Sequence, residues 1–350
     1  MTSGGPPRGG VARDPTIDAL RTLALCAIVL AHSGASGWLF NVRSFDVTCL
    51  AMLSAMSFSL SRAKSRSGRL KGGVWGYLLA RIRRLLVPTY VFLFVFFALL
   101  GLLRLCGWTG TSEISVWSFG RVLDAFLLGK GITWIVRVYV LLALLNPAIA
   151  ALSGRVRKHV FYLGIVALCV PLQLLALRFA PPAGTVSLGS WFYRGVVLFA
   201  LGYGSVGLLG YRHRVLSRRC RMLVAGTIAT GLFLFWWANG FLPLQQFKYP
   251  PHPYYLAYGV VVTLVLYELF SLDAFLPVAT NRFVGWVSRN SLWIFFWHYI
   301  GVLLLDVIPF PPPFGRFVAL RWGFNMGMGL FLTAIQNALR TAWCNGFVHR

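Results

Sequence analysis

Acidic residues are scarce in this chain. Its 350 residues include 8 Asp and Glu, and charged residues of both signs together make up 12%, about half the share of an ordinary soluble domain. With 58% of the residues hydrophobic and a mean hydropathy of +0.71, a soluble globular protein is excluded. Cysteine is sparse as well. Cys26, Cys49, Cys106, Cys169, Cys220 and Cys344 stand singly, mostly in apolar segments, with no CxxC or Cys/His spacing, so neither a disulfide framework nor a metal site is indicated. The sequence also lacks a GxxxxGK(S/T) phosphate loop, an internal repeat, and any low-complexity tract beyond its start. That start, MTSGGPPRGGVAR, has no apolar core of the kind a signal peptide needs, and residues 1–13 read as a flexible cytoplasmic tail.

What the chain does have is long apolar runs. Ten are long enough to cross a bilayer, at approximately 19–38, 45–61, 85–105, 132–152, 160–180, 191–210, 222–240, 254–271, 291–308 and 317–338. An open chain in hydrocarbon must satisfy its backbone internally and no barrel-like alternation is present, so the expected fold is all-α and integral to the membrane, with about ten transmembrane helices. Net charge is +25, which in a soluble chain would suggest nucleic acid. Here topology accounts for it: with the N-terminus inside, 23 of the 33 Lys and Arg fall in inner loops and tails. Both termini are therefore expected in the cytoplasm of a multi-pass protein of the cytoplasmic membrane, with a membrane domain over 14–340 and a short tail over 341–350. The connection 106–131 reads as an outer loop carrying an interfacial helix.

Ionisable groups inside such spans are costly and usually functional. Arg21 and His32 are eleven residues apart, about three turns and ~16 Å along one helix face, which puts a cation at the inner mouth and an imidazole deeper in. Asp18 is spaced to pair with Arg21. Arg81 and Arg84, also i,i+3, share a face that Arg83 leaves; they serve either as anchors on anionic lipid or as a phosphate site. His298, seven residues into an outward-running helix, either bonds a neighbouring helix or takes part directly. Trp236, Trp237, Tyr254 and Tyr255 form either an aromatic belt or part of a binding surface. Glu268 and Asp306 read as structural partners of Arg.

These motifs in this order resemble the membrane-bound acyltransferase 3 family. The Asp-x-Leu-Arg start with Arg-x10-His covers Asp18 to His32. RSFDVTCLAMLSAMSFSLSR resembles the second helix of that family, LLARIRRLLVPTY its Arg-x-x-Arg as Arg81 and Arg84, and ITWIVRVYVLLALLNP its Trp-led fourth helix. KYPPHPYYLAYG from Lys248 matches a segment of one bacterial branch, and VSRNSLWIFFWHY resembles the late helix ending at His298. The chain departs from the pattern at Ser54, Ala55 and Ser57, where many members show Ser-Gly, and has no room for the extra hydrolase-like domain of some.

The resemblance implies transfer of an acyl group, often acetyl, from acyl-CoA to a hydroxyl of a glycan, lipid-linked sugar or small glycoside, without a metal. On that footing Arg21 and His32 are the candidate catalytic pair, and Arg21, Arg81 and Arg84 the cations for the CoA phosphates. His32 acts either as general base or as acyl carrier. The segment from Trp236 to Tyr255, stiffened by Pro250, Pro251 and Pro253, is expected to face outward and form the acceptor pocket with Trp237, Gln245, Lys248, Tyr254, Tyr255 and His298. Two rival classes are a small-molecule transporter using His32, Arg137 and His298, which the lack of an inverted repeat disfavours, and a non-catalytic scaffold, which leaves the buried ionisable groups without purpose.

Overall fold

The computed structural model describes residues 14–63, 72–112, 114–129, 131–182, 184–185, 187–308, 310–311 and 317–348, and among these it contains helices and no strand. The expected tail 1–13 lies outside the described residues. Helix α1 (Pro15–Ala31) opens with Asp14 accepting from the Thr16 backbone N–H at 3.1 Å and with Pro15 in the first turn, where its missing N–H costs nothing. A short α2 (Gly37–Val42) leads into α3 (Asp46–Ala63). There follow α4 (Gly73–Leu105), α5 (Phe119–Phe126), α6 (Trp134–Arg155), α7 (His159–Arg178), α8 (Leu188–Phe192), α9 (Leu198–Arg212), α10 (Arg218–Asn239), α11 (Pro253–Phe270), α12 (Leu276–Ala279), α13 (Arg282–Arg289), α14 (Ser291–Val307) and α15 (Val318–Val348).

Among the described residues nine helical stretches of 18 or more residues are apolar enough to cross a membrane, and α1, with 17 residues, is at the lower end of spanning length. The protein is an all-α, multi-pass membrane protein, as its composition requires. Several boundaries move. The first helix stops at Ala31 rather than near 38, because His32, Ser33 and Gly34, the last at φ +83°, turn the chain out of the helix. The third span begins at Gly73 instead of 85. The Arg81–Arg84 run therefore lies within α4, since arginine is a good helix former wherever its head reaches water. The last helix runs to Val348, past the end expected near 338.

Helix α3 sits at the centre, against α1, α6, α9 and α11. Its approach to α9 is close enough that a Cβ at Gly210 would stand 2.6 Å from the Met52 carbonyl oxygen. By contrast α7 and α10 turn most of their surface outward. Ion pairs gather the helix ends expected to be cytoplasmic: Asp14 meets Arg214 at 3.7 Å, and Glu268 meets Arg221 at 2.6 Å and Arg218 at 3.3 Å. Glu268 is thus a partner of Arg. Among the described residues Asp306 meets no Arg: its carboxylate accepts from the Ser112 backbone N–H at 3.2 Å and ties down the loop before α5.

Candidate active site

Two polar clusters form at opposite ends of α1. At the N-terminal end, half-buried Arg21 donates through Nη1 to Asp18 at 3.4 Å and Ser288 at 3.0 Å, and through Nη2 to Ser57 at 3.0 Å. Ser288 in turn donates to Asp18 at 2.6 Å. Three helices thus hold one guanidinium in place. Arg81 of α4 donates to Ser54 at 3.4 Å, one turn from Ser57 on α3, so the two arginines converge on α3, and Tyr139 lies in the field of both. Ser54 and Ser57, two of the three positions at which the sequence departs from the pattern it resembles, each receive one of these guanidinium groups. Arg84 is exposed and does not share that inward direction: α4 turns it to the surface while Arg81 faces α3. Beside Asp18 an open depression of about 470 Å³ is lined by Asn281 and by two cations, Arg282 and Arg289, whose positions in the sequence point only to topology.

At the C-terminal end the chain chemistry is different. His32 stands in the turn after Ala31, braced by the adjacent Ser33, whose hydroxyl accepts from Asn325 of α15 at 3.0 Å. Its ring lies between two residues of α14. His32 Nδ1 is 3.2 Å from His298 Nε2, and Tyr299 Oη is 3.0 Å from His32 Nε2. His298 is fully buried, and its Nδ1 bonds the Phe295 carbonyl.

That last contact fixes the direction of the whole row. A carbonyl oxygen only accepts, so His298 Nδ1 carries a proton, and the Nε2 of a neutral His298 is an acceptor. His32 Nδ1–H then donates to His298, leaving His32 Nε2 with a lone pair that accepts from the Tyr299 hydroxyl. This assignment follows from the network, since hydrogens are inferred rather than located.

His32 opens on a cavity of about 220 Å³, lined among others by Arg43, Trp134, Gln245, Lys248 and Tyr299. Two of the expected acceptor residues, Gln245 and Lys248, are therefore brought to His32. A buried ion pair, Arg43 to Asp46 at 2.7 Å, forms one wall. The loop carrying Lys248 is latched to α2 and the turn after it: Leu244 N–H donates to Asn41 at 2.9 Å, and Gln245 donates to Ser44. Burial pushes the Lys248 ammonium down to about 8, with Asp46 opposing the shift.

The other expected acceptor residues stand elsewhere. His298 lies behind His32 and does not line the cavity, because α14 turns it inward onto its own backbone carbonyl. Tyr254 donates to the Leu242 carbonyl at 2.9 Å and accepts from Trp236 at 2.8 Å, bracing the loop. Tyr255 is enclosed in the core, and Trp237 is 82% exposed on the outer face of α10. Sequence reasoning missed Tyr299, Arg43 and Asp46. An Asp three residues after an Arg at a helix start was the available signal for the last two; Tyr299 carried none beyond its place beside His298.

A family model described as an acyltransferase domain, that of the acyltransferase 3 family, matches residues 14–334. No curated protein matches the chain, and no solved structure does.

Proposed function

The chain belongs to the acyltransferase 3 family and is a membrane acyltransferase, and from that premise we propose that it moves an acyl group, acetyl in the simplest case, from acyl-CoA to a hydroxyl of a sugar or related acceptor at His32. One observation carries this reading. The row Tyr299, His32, His298 and Phe295 carbonyl leaves the accepting nitrogen of His32 at the cavity. An acceptor hydroxyl there takes the place of the Tyr299 hydroxyl at Nε2. Its oxygen attacks the thioester carbonyl carbon, forming the ester C–O bond and breaking the C–S bond. The hydroxyl proton passes to Nε2 and from there to the departing CoA thiolate. The imidazolium formed in between is stabilised through its Nδ1–H by His298.

The donor reading rests on the other end of α1. Arg21 and Arg81, with Arg282 and Arg289 at the open depression beside them, are suited to a phosphorylated head group on the cytoplasmic side. The ~16 Å along α1 from Arg21 to His32 is a distance that the extended arm of a CoA thioester can bridge. Reconstituted protein supplied with radiolabelled acetyl-CoA and simple glycosides tests the route. Thiol release that depends on the acceptor, with label recovered in the glycoside, is expected. Thiol release independent of any acceptor, with label retained on the protein, would place an acyl-histidine in its stead. No release at all would reject acyl-CoA as donor.

A further inference from the structure

The cavity at His32 contains a cation that the transfer step does not use. Lys248 is 6% exposed, and its ammonium lies over the Trp134 ring at 4.8 Å and 5.5 Å from the Tyr249 ring centre. Among the described residues no acceptor stands at hydrogen-bond distance from it. The nearest acid is already engaged: one oxygen of Asp46 takes Arg43 at 2.7 Å and the other the Val47 backbone N–H at 2.7 Å. A ring face offsets only part of what a buried ammonium loses in leaving water. Even with burial lowering it to about 8, this amine is mostly protonated at pH 7. The wall therefore presents one uncompensated positive charge to a space that also holds the accepting nitrogen of His32, and Arg43 adds to the same field.

We propose that the cavity selects an acceptor bearing a negative charge, a sugar or related polyol with a carboxylate or phosphate group, which binds Lys248 while the hydroxyl to be acylated meets His32 Nε2. The volume, about 220 Å³, suits a single monosaccharide ring rather than a chain. The proposal deepens the acyl-transfer reading of His32 and rests on it for the position of the reacting hydroxyl; the anion site itself does not.

The test compares binding of methyl β-glucoside, methyl β-glucuronide and methyl β-glucoside 6-phosphate to the purified full chain, with transfer from acetyl-CoA read separately. Wild type is expected to bind a charged probe about tenfold or more tighter than the neutral one, as a charge-assisted contact with a buried ammonium should give. Whichever charged probe binds tighter identifies the anion as carboxylate or phosphate. Lys248→Gln is expected to bring charged and neutral probes to within about twofold, and Lys248→Arg to restore most of the preference. His32→Ala should keep the preference while losing transfer. Equal affinities in wild type, no binding of either charged probe, or a preference that survives Lys248→Gln overturns the proposal. A wild type that prefers the charged probe yet acylates no acceptor sinks the transfer reading and leaves the anion site standing.

Discussion

At its N-terminal end α1 meets a crowd of guanidinium groups near water, each held by hydroxyls or carboxylates: Arg21 by Asp18, Ser57 and Ser288, and Arg81 by Ser54. At its C-terminal end, ~16 Å along the axis from Arg21, two imidazoles and a phenol form a hydrogen-bonded row without a formal charge, and one ammonium has no carboxylate at hydrogen-bond distance. Arg21 is half-buried, near enough to the surface for water to help solvate it, whereas the charges beside His32, Arg43, Asp46 and Lys248, are buried. His32 lies at a cavity backed by fully buried His298 and by buried Tyr299, and in such low-dielectric surroundings a hydrogen bond has more effect on a developing charge. On the proposed reading the contrast divides the work between donor binding at one end and proton transfer with acceptor binding at the other, and variants at each end should then fail in different ways.

The largest effect belongs to His32. His32→Ala should lower kcat by about 10²–10⁴ while leaving the Kd for CoA unchanged, as measured on folded protein by single-turnover transfer and equilibrium binding. Loss of CoA binding in that variant would collapse the distinction between the two ends. Next comes the donor end: Arg21→Gln should weaken CoA binding about 10–100-fold, the range of a charge-assisted contact, with kcat at saturation nearly unchanged. Arg84→Gln, at an exposed and screened position, should cost about 2–5-fold. A titration of CoA at two salt concentrations checks both, and an Arg84 effect equal to that of Arg21 would move the donor site outward.

A smaller change is expected from Tyr299→Phe. The acceptor hydroxyl replaces the phenol at His32 Nε2 during transfer, so kcat should fall only about 2–10-fold, the worth of one neutral hydrogen bond. A loss as deep as that of His32→Ala would make Tyr299 a proton carrier. The smallest effect concerns stability. Lys248 titrates near 8 when folded and near 10.4 when unfolded, so between those values the unfolded chain binds more protons and wild-type stability rises with pH. Lys248→Met should therefore raise Tm at pH 7, by about 2–4 °C, and the gain should shrink above pH 8 and vanish as pH approaches the unfolded value. Thermal melts across that window read it directly.

Much of this was legible from residue spacing. The Asp18–Arg21 contact follows from helix geometry, whereas the continuous helix expected through His32 ends at Ala31 and leaves the imidazole in the turn that follows, and among the described residues the apolar runs match the number of helices closely. Spacing fails where a fold joins distant segments. His32 and His298 are 266 residues apart, and no local pattern tells that they share a hydrogen bond or that Phe295 sets its direction. The same limit applied to Lys248 and Gln245: proline spacing marked their loop, but its latch onto Asn41 and Ser44 brings them to His32. Tyr254 was legible as an aromatic at an outer helix start and illegible as a brace, because its partners, Trp236 and the Leu242 carbonyl, are chosen by how the loop folds back. Helix ends moved where capping outweighed hydropathy, as at Gly34 and Gly72.

The account depends on the imidazole of His32 being neutral, protonated at Nδ1 and open at Nε2. Nitrogen NMR of protein labelled at its six histidines, with His32 assigned by comparison with His32→Gln, reads the tautomer directly. At pH 7 the account predicts a protonated Nδ1 and a bare Nε2, with the Nε2 signal moving in Tyr299→Phe and the Nδ1 signal in His298→Phe. An Nε2-protonated ring or an imidazolium at that pH would contradict it.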